Sequence, residues 1–436
     1  MRRRTTTLVT LVAAAVAAGI AVPALAATSS SGVPTAGPAD TPGSGQSVID
    51  WNRQLISILG APNVQPGTVH PTRSFAMLQA AEYNAVVSIT HASPPYRSAV
   101  PAPGDARPDA AADQAAHDVL VALYPSMRDG LDTQLNGELA GIPDGQAKQD
   151  GVGVGAAAAR QLIALRSSDG SSAPPAAFVA GTGPGDYRPT PPKFPAPMYT
   201  GWGSVTPFLL DNAKQFGLPA PPPVSGAAYA AALNEVKSLG RDSSTTRTQD
   251  ETVAGKFWSA TPVWTTWNQV AQQLVADRHA SLRQATDVFA ALDLSLADTT
   301  IAMYDAKYQE HVWRPVTAIQ LGATAGNPDI VGDPTWNPLT PTAADPSDPG
   351  AHSALSEAAA TALTAFYGNH QPVAITATAD PGVTRSFDSL AAAADEAGLS
   401  RIWAGQHTRI DHQAGQQLGG QVARLVLGDL HQPTTG

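Results

Sequence analysis

The sequence predicts an all-α protein. Apolar residues recur at the spacing of a helix face in several segments, and alternating β-branched runs typical of strands are missing. Three such sets are Trp51, Leu55, Ile58 and Leu59; Met77, Ala80, Ala81, Asn84 and Val87; and Trp264, Trp267, Val270, Ala271 and Leu274. Alanine-rich stretches at residues 155–164 and 391–394 also favour helix. With 436 residues, of which 43% are hydrophobic and 14% charged, the chain can bury a substantial core as packed helical bundles.

The N-terminus has the pattern of a secretory signal peptide. Three arginines at residues 2–4 precede an apolar run at residues 8–21, and Ala24-Leu25-Ala26 offers a small-x-small cleavage site. The alternative is an uncleaved anchor, which is disfavoured because the apolar run is short for a bilayer span of about 20 residues. We therefore expect a signal peptide at residues 1–26, a disordered leader at 27–46, and a protein that is secreted or held in the cell envelope.

Proline and glycine divide the rest of the chain. The sequence has 38 of each, and they concentrate between about residues 172 and 225, where closely spaced prolines forbid a regular helix. The predicted organisation is an N-terminal helical array at residues 47–170, an irregular Pro/Gly-rich connection at 171–225, a C-terminal bundle at 226–428 and a tail at 429–436.

Charge and cysteine content exclude several functions. The chain has 26 basic and 36 acidic residues, a net charge of −10, which argues against a nucleic-acid or anionic-membrane partner. It has no cysteine, so disulfides, thiolate zinc sites and cysteine nucleophiles are impossible. Any chemistry must come from histidine, hydroxyl and charged side chains.

The first cluster of candidate site residues is Lys307 and Arg314-Pro315. If both cations lie in one helix that begins near Leu296, the seven-residue step turns about 700°, so they share one face to within about 20°. Pro315 predicts that this helix ends at Arg314. The alternative is that the two cations only complement the negative end of the helix dipole.

The second cluster is the turn Pro349-Gly350-Ala351-His352, which leads into a helical run at residues 354–366. Free backbone N–H groups at the start of a helix can bind an anion. A histidine there can exchange a proton with a bound anion. The alternative is an exposed histidine at a helix start.

The third cluster contains Arg401, His407 and Asp411. Residues four apart share a helix face, so Asp411 can hold one ring nitrogen of His407 and leave the other to bind or attack. Arg401 lies about 120° off that face and reaches the same point only if it precedes the regular helix or extends its side chain. The alternative is a surface ion pair.

Together, the three clusters have the chemistry of a site for a tetrahedral oxyanion. One lysine, two arginines, an amide-rich turn and two histidines can bind oxyanion oxygens by charge and by forked hydrogen bonds. Such a site could transfer phosphoryl groups, with His407 attacking phosphorus and His352 protonating the leaving group. It could equally hold vanadate.

The order and spacing of these clusters resemble the three-part signature shared by type 2 phosphatidic acid phosphatases and vanadium-dependent haloperoxidases. Flanking segments resemble the secreted bacterial haloperoxidase-like branch, and with them the resemblance covers most of the mature chain. These segments are at residues 187–191, 205–208, 244–248, 304–307, 313–319 and 336–339. The resemblance implies a fold of paired helical bundles with the oxyanion site at the end of one.

The resemblance also implies a role for each site residue. It makes His407 the ligand of vanadium or the nucleophile toward phosphorus, with Asp411 as its orienting partner and His352 as the acid–base group. The residues it places around the oxyanion are Lys307, Arg314, Gly350, Ala351 and Arg401. The sequence departs from the family at one place, where the usual Pro-Ser-Gly-His reads Pro349-Gly350-Ala351-His352, so a serine hydroxyl that contacts the anion is absent. Ser353 is a candidate to supply a hydroxyl instead.

The resulting hypothesis is a vanadate-dependent haloperoxidase that oxidises halide with hydrogen peroxide in the presence of an organic acceptor. Its cofactor would be vanadate bound at His407. One alternative is an acid phosphatase that hydrolyses phosphomonoesters without a cofactor, and another is an oxyanion-binding protein without turnover. A zinc or iron site built from His352, His407, Asp411 and His412 is a further alternative. The oligomeric state stays open.

Overall fold

A computed structural model describes residues 44–377 and 380–431. The predicted signal peptide and most of the predicted leader lie outside these residues, as does the end of the tail. In the described part of the chain the fold is α-helical, with one short β-hairpin, so the predicted all-α class is confirmed. The domain boundaries inferred from the sequence stay a prediction.

The first five helices occupy residues 46–166. They are α1 (Gln46–Gly60), α2 (Pro71–Thr90), α3 (Pro108–Leu123), α4 (Arg128–Ala140) and α5 (Gln146–Arg166). The apolar stripe predicted in α1 faces inward, with Trp51, Leu55 and Ile58 fully buried. Gly155 of α5 lies so close to α3 that a β-carbon there would stand 2.2 Å from the main-chain oxygen of Ala111. Small residues therefore set the distance between these two helices.

Residues 167–226 contain a 3₁₀ turn at Trp202–Ser204 and otherwise run without helix, as the prolines predict. Specific contacts fix this segment to the bundle. The carboxylate of Asp298 accepts hydrogen bonds from the backbone N–H groups of Phe208, Leu209 and Leu210 at 2.6–2.9 Å. Farther back, the N–H of Met198 donates to the main-chain oxygen of Ala344 at 2.8 Å, which joins the segment to the loop before the predicted anion-binding turn.

Eight further helices occupy residues 227–431. They are α6 (Ala227–Leu239), α7 (Gln249–Ala260), α8 (Val263–Asp277), α9 (Leu282–Glu310), α10 (Pro315–Gln320), α11 (Ala351–Tyr367), α12 (Leu390–Trp403) and α13 (Arg409–His431). The longest is α9, which begins at a capping box formed by Ser281 and Gln284 and is buried along most of its length. Its start at Leu282 corrects the sequence prediction of a start near Leu296. None of the helices in the described ranges has both the length and the apolar character needed to cross a bilayer.

Helices α11 and α13 pack closely against each other and against α9. A β-carbon at Gly419 of α13 would stand 2.0 Å from the main-chain oxygen of Ala354 in α11, so only glycine permits this approach. Lys307 lies at the end of α9, His352 at the start of α11 and Asp411 in the first turn of α13, so this packing brings residues of all three clusters to one end of the bundle.

A hairpin of two antiparallel strands joins α11 to α12. They are β1 (Val373–Ala377) and β2 (Asp380–Phe387), paired from Val373 opposite Phe387 to Thr376 opposite Thr384. In β1 the buried residues alternate with exposed ones, which is the pattern of a strand with one face on the core. The sequence interpretation did not predict this hairpin.

Candidate oxyanion site

Lys307 lies in the last turn of α9 and is 0% exposed. Its Nζ lies 2.5 Å from the main-chain oxygen of Pro346, 3.1 Å from that of Ser347 and 3.0 Å from Oδ1 of Asp345. An ammonium group has three N–H donors, so each one has an acceptor here. Burial lowers the pKa of Lys307, while Asp345 opposes that change.

Arg314 lies in the turn between two helices, not in the helix of Lys307. Helix α9 ends at Glu310, His311 takes a left-handed conformation, and Arg314 is the N-cap of α10. The predicted common helix face is therefore wrong. The two cations still meet, because the side chains of Lys307 and Arg314 both reach Asp345.

Asp345 is the central anion of this arrangement, and the sequence interpretation missed it. Its Oδ1 accepts from Nη2 of Arg314 at 2.6 Å as well as from Lys307, and its main-chain oxygen accepts from Nε of Arg314 at 2.7 Å. Burial alone would raise the pKa of Asp345, but the positive charges of Lys307 and Arg314 outweigh it and lower that pKa to about 2. The sequence did show a carboxylate four residues before Pro349, but its spacing gave no indication that it pairs with Lys307 and Arg314.

His407 and Asp411 come together through a helix cap. Helix α13 begins at Arg409, so His407 lies before it and Asp411 in its first turn. Thr408 and Asp411 bond reciprocally, with the Thr408 N–H donating to Oδ2 of Asp411 at 2.7 Å and the Asp411 N–H donating to the Thr408 hydroxyl at 3.3 Å. This corrects the prediction that His407 and Asp411 share a helix face, while their contact is present. The hydroxyl of Ser347 also donates to Asp411 at 2.6 Å.

The hydrogen bonds of His407 define its protonation. Its Nδ1 lies 3.3 Å from Oδ2 of Asp411 and its Nε2 lies 3.0 Å from Nη1 of Arg314. Because a guanidinium only donates, Nε2 is the acceptor and Nδ1 carries the proton. Burial, followed by the charge of Arg314, lowers the pKa of His407 to about 3, so the ring is neutral at ordinary pH.

Arg401 is a buried cation with an unused donor. It lies in the last turn of α12, is 7% exposed, and its Nη1 donates to the hydroxyl of Ser259 at the end of α7. Its Nε is buried and has no partner among the described residues. Burial and the nearby charge of Arg314 lower the pKa of Arg401 to about 9, so the site destabilises its charge. An anion beside Arg401 would give the buried Nε an acceptor and would stabilise the positive charge of the guanidinium.

The predicted helix start at this turn is present, but α11 begins at Ala351, three residues before the predicted run at 354–366, so Ala351 and His352 lie in its first turn. The N–H of Gly350 donates to the main-chain oxygen of Asp411 at 2.8 Å, so this amide already has a partner. A β-carbon at Gly350 would lie 3.1 Å from the same oxygen, which makes a serine tight at this position. The hydroxyl of Ser353 bonds with Nδ1 of His412 at 2.9 Å, so it is engaged away from the oxyanion residues.

His352 is held by the backbone of α7. Its Nε2 lies 2.8 Å from the main-chain oxygen of Trp258, and since a carbonyl only accepts, the proton is on Nε2. Nδ1 is therefore the ring nitrogen that can accept a proton. Burial, followed by the charge of Arg401, holds the pKa of His352 well below its ordinary value.

The alternative zinc or iron site is not assembled. His412 lies 2.9 Å from Ser353 on one ring nitrogen and 3.4 Å from Oδ1 of Asp395 on the other, away from His407 and Asp411. Among the residues that the structure describes, no group of three or more His, Asp or Glu side chains could hold a metal ion.

The charges of the site favour one bound anion. Lys307, Arg314 and Arg401 are cationic, whereas the ionised carboxylates are Asp345 and Asp411, and both histidines are neutral. Asp348 is also buried, but burial and then the charge of Asp411 raise its pKa to about 8, so it is protonated at pH 7. One positive charge remains, next to the unused donor of Arg401. The residues therefore fit a tetrahedral oxyanion.

A comparison with protein families matches the C-terminal part of the chain. The family model of the VCPO second helical-bundle domain matches residues 287–436, which include every candidate site residue. This match, together with the solved structures of similar fold, supports the vanadium haloperoxidase superfamily. None of the curated protein sequences matches the chain significantly.

Solved vanadium haloperoxidases share the fold over most of their length. A bacterial vanadium-dependent iodoperoxidase is 23% identical with a TM-score of 0.76, over 91% of this chain and 99% of that one. The holo form of a bacterial vanadium-dependent chloroperoxidase is 14% identical with a TM-score of 0.66, over 85% of this chain and 94% of that one. The apo form of a bacterial chloroperoxidase of this type is 13% identical with a TM-score of 0.64, over 84% and 94%. At these identities the similarity concerns the fold.

Proposed function

We propose that this protein is a vanadate-dependent haloperoxidase of the vanadium haloperoxidase superfamily, which oxidises halide with hydrogen peroxide. The observation that carries the proposal is the neutral His407, whose Nε2 lone pair lies 3.0 Å from Arg314 in a site with three buried cations. A neutral imidazole nitrogen beside cationic donors is the combination that can ligate the central atom of an oxyanion while its oxygens are neutralised. When bound, vanadate would supply the Lewis acidity that activates hydrogen peroxide.

The protein's own groups divide the remaining work. Arg401 and Arg314 would donate hydrogen bonds to the oxyanion oxygens, and Lys307 would add positive charge. Asp411 would hold the Nδ1 proton of His407, so that Nε2 stays available as the ligand. The N–H of Ala351, at the start of α11, would be a further donor near the anion.

The state of His352 supports the peroxidase over the phosphatase. Its Nε2 proton is bonded to the main-chain oxygen of Trp258, so Nδ1 has a free lone pair that can accept a proton and has none to donate. Removal of a proton from hydrogen peroxide needs such an acceptor, and an anion beside Arg401 would offset the charge that, after burial, lowers the pKa of His352. Phosphomonoester hydrolysis needs the opposite, because the leaving alcohol must receive a proton.

We also propose that the protein is exported and acts on small molecules. The support is the pattern of residues 1–26, which resembles a secretory signal peptide and would be removed by cleavage during export. Hydrogen peroxide, a halide and an organic acceptor would be its substrates, and nucleic acid would not be a partner because the chain is acidic.

The test is turnover by the purified protein with and without vanadate. We expect oxidation of bromide or iodide by hydrogen peroxide, read with a phenol-type reporter, only after vanadate loading. The variant His407→Ala should be inactive, while the control His370→Ala, which removes an exposed histidine, should keep the activity. Release of phosphate from a chromogenic phosphomonoester, inhibited by vanadate, would move the protein to the phosphatase class. No turnover in either assay would contradict the proposal and favour an oxyanion-binding protein without catalytic activity.

A further inference from the structure

Asp345 occupies the hydrogen-bond donors that an oxyanion would use. Its Oδ1 accepts from Nζ of Lys307 at 3.0 Å and from Nη2 of Arg314 at 2.6 Å. The other two donors of Lys307 are taken by the main-chain oxygens of Pro346 and Ser347. Lys307 therefore has no N–H left for an oxyanion unless it gives up an existing partner.

The backbone around Asp345 is held on both sides. The Ala344 main-chain oxygen accepts from the N–H of Met198, and the N–H of Ser347 donates to the main-chain oxygen of Val312, both at 2.8 Å. The main-chain oxygen of Asp345 itself accepts from Arg314. These contacts hold the backbone of the loop, so the carboxylate can leave the two cations by rotation of its own side chain.

We propose that Asp345 is an internal counter-anion that competes with the bound oxyanion and adapts the site to singly charged oxyanions. The inference rests on the oxyanion site of the proposed function and concerns its selectivity. With Asp345 ionised, the site keeps one net positive charge, centred on Arg401. A bound oxyanion must either displace the carboxylate from Lys307 and Arg314 or stay beside it.

Selectivity follows from electrostatics in a buried site. Repulsion between Asp345 and a bound anion grows with the charge of the anion, and burial reduces the screening by water. A doubly charged oxyanion is therefore penalised more than a singly charged one. Removing the charge at residue 345 should therefore strengthen the binding of both kinds of oxyanion. The gain should be larger for the doubly charged one, which reduces the preference for a single charge.

The experiment compares wild-type protein with Asp345→Asn by titration calorimetry at pH 7. The probes are tungstate, a doubly charged tetrahedral oxyanion, and perrhenate, a singly charged one of similar shape. We expect Asp345→Asn to bind tungstate about tenfold more tightly than the wild type, with a smaller gain for perrhenate. Unchanged or weaker tungstate binding, or equal gains for the two probes, would overturn the proposal.

Asp348→Asn is the matched control. Asp348 is a buried carboxyl in the same loop, but it is protonated at pH 7 because burial and the charge of Asp411 raise its pKa to about 8. Its replacement by an amide leaves the charge of the site unchanged. An equal affinity gain in Asp348→Asn would show that loosening of the loop, and not the charge of Asp345, is responsible.

Loss of stability in Asp345→Asn is itself informative, because the variant leaves two buried cations without a charged partner. If the melting temperature of Asp345→Asn is far below that of the wild type, tungstate should raise it again. Asp345→Ser should behave in the same way. Failure of tungstate to rescue either variant would overturn the proposal, since a bound oxyanion would then be unable to replace the carboxylate.

These outcomes are separate from those of the proposed function. Tighter tungstate binding in Asp345→Asn without any vanadate-dependent halide oxidation would uphold the counter-anion and reject the peroxidase. Vanadate-dependent halide oxidation by the wild type, with unchanged tungstate affinity in Asp345→Asn, would uphold the peroxidase and reject the counter-anion.

Discussion

Nη1 of Arg314 donates a hydrogen bond to Nε2 of His407 across 3.0 Å. This contact places a cation at the lone pair of the ring. Burial, and then the charge of Arg314, lower the pKa of His407 to about 3. The same Nη1 also donates to the main-chain oxygen of Gln406, which fixes the guanidinium in place. A ligand that takes the lone pair of His407 therefore replaces the hydrogen bond from Arg314 and arrives beside its positive charge.

Asp411→Asn should weaken vanadate binding and turnover by about 10- to 100-fold, the usual effect of losing the carboxylate behind a ligating histidine. The amide keeps one acceptor, but it removes the charge that holds the Nδ1 proton of His407. Vanadate affinity and halide oxidation would both be measured. Ser353→Ala is the control, because its hydroxyl bonds with His412; a loss as large as that of Asp411→Asn would contradict this assignment.

Arg401→Met should separate stability from binding. The pKa of Arg401 is lowered to about 9 by burial and by the charge of Arg314, so its removal should raise the melting temperature of the anion-free protein by a few degrees. The same change should weaken tungstate binding about tenfold or more, because a forked donor is lost. Thermal melts and calorimetry check both effects. A lower melting temperature without tungstate would show that the hydrogen bond to Ser259 outweighs the cost of burying the charge.

Asp293→Asn should reduce the loss of stability as the pH rises. Burial raises the pKa of Asp293 to about 8, against about 4 in an unfolded chain, while a 2.8 Å hydrogen bond from Asn268 opposes the shift. Between these values the folded state keeps a proton that the unfolded state releases, so stability is full at low pH and falls as the pH rises toward 8.

The variant should flatten this slope by at most about 1.4 kcal/mol per pH unit. Melting temperatures of both proteins at several pH values between 5 and 8 give the comparison. The exposed Asp129→Asn should leave the wild-type slope unchanged. Parallel slopes for Asp293→Asn and the wild type would contradict the prediction.

Gly419→Ala should destabilise the protein by about 1–3 kcal/mol, because its β-carbon would stand 2.0 Å from the main-chain oxygen of Ala354 and push α11 and α13 apart. Gly428→Ala, on the same helix, meets no atom within 4 Å and should be neutral or stabilising by up to about 1 kcal/mol. Chemical denaturation gives both values. Equal effects at the two positions would show that close helix packing does not explain Gly419.

The sequence predicts the helices well because their signals are local. The periodic burial of apolar residues involves positions within one or two turns of each other. The cation and histidine clusters were recognisable for the same reason, since each is a short stretch with its own spacing. The errors arose where a local rule was carried too far: Arg314 was placed in the helix of Lys307, and His407 in the helix of Asp411.

The sequence by itself determined the helical class, the irregular middle segment and the residue types of the oxyanion site. Only the tertiary structure decided how those residues are paired. Arg314 and Asp345 are 31 positions apart, and His352 and Trp258 are 94 apart, so no local spacing relates them. The protonation of both histidines and the charge left for an anion depend on these long-range contacts, because burial and neighbouring charge are properties of the packed bundle.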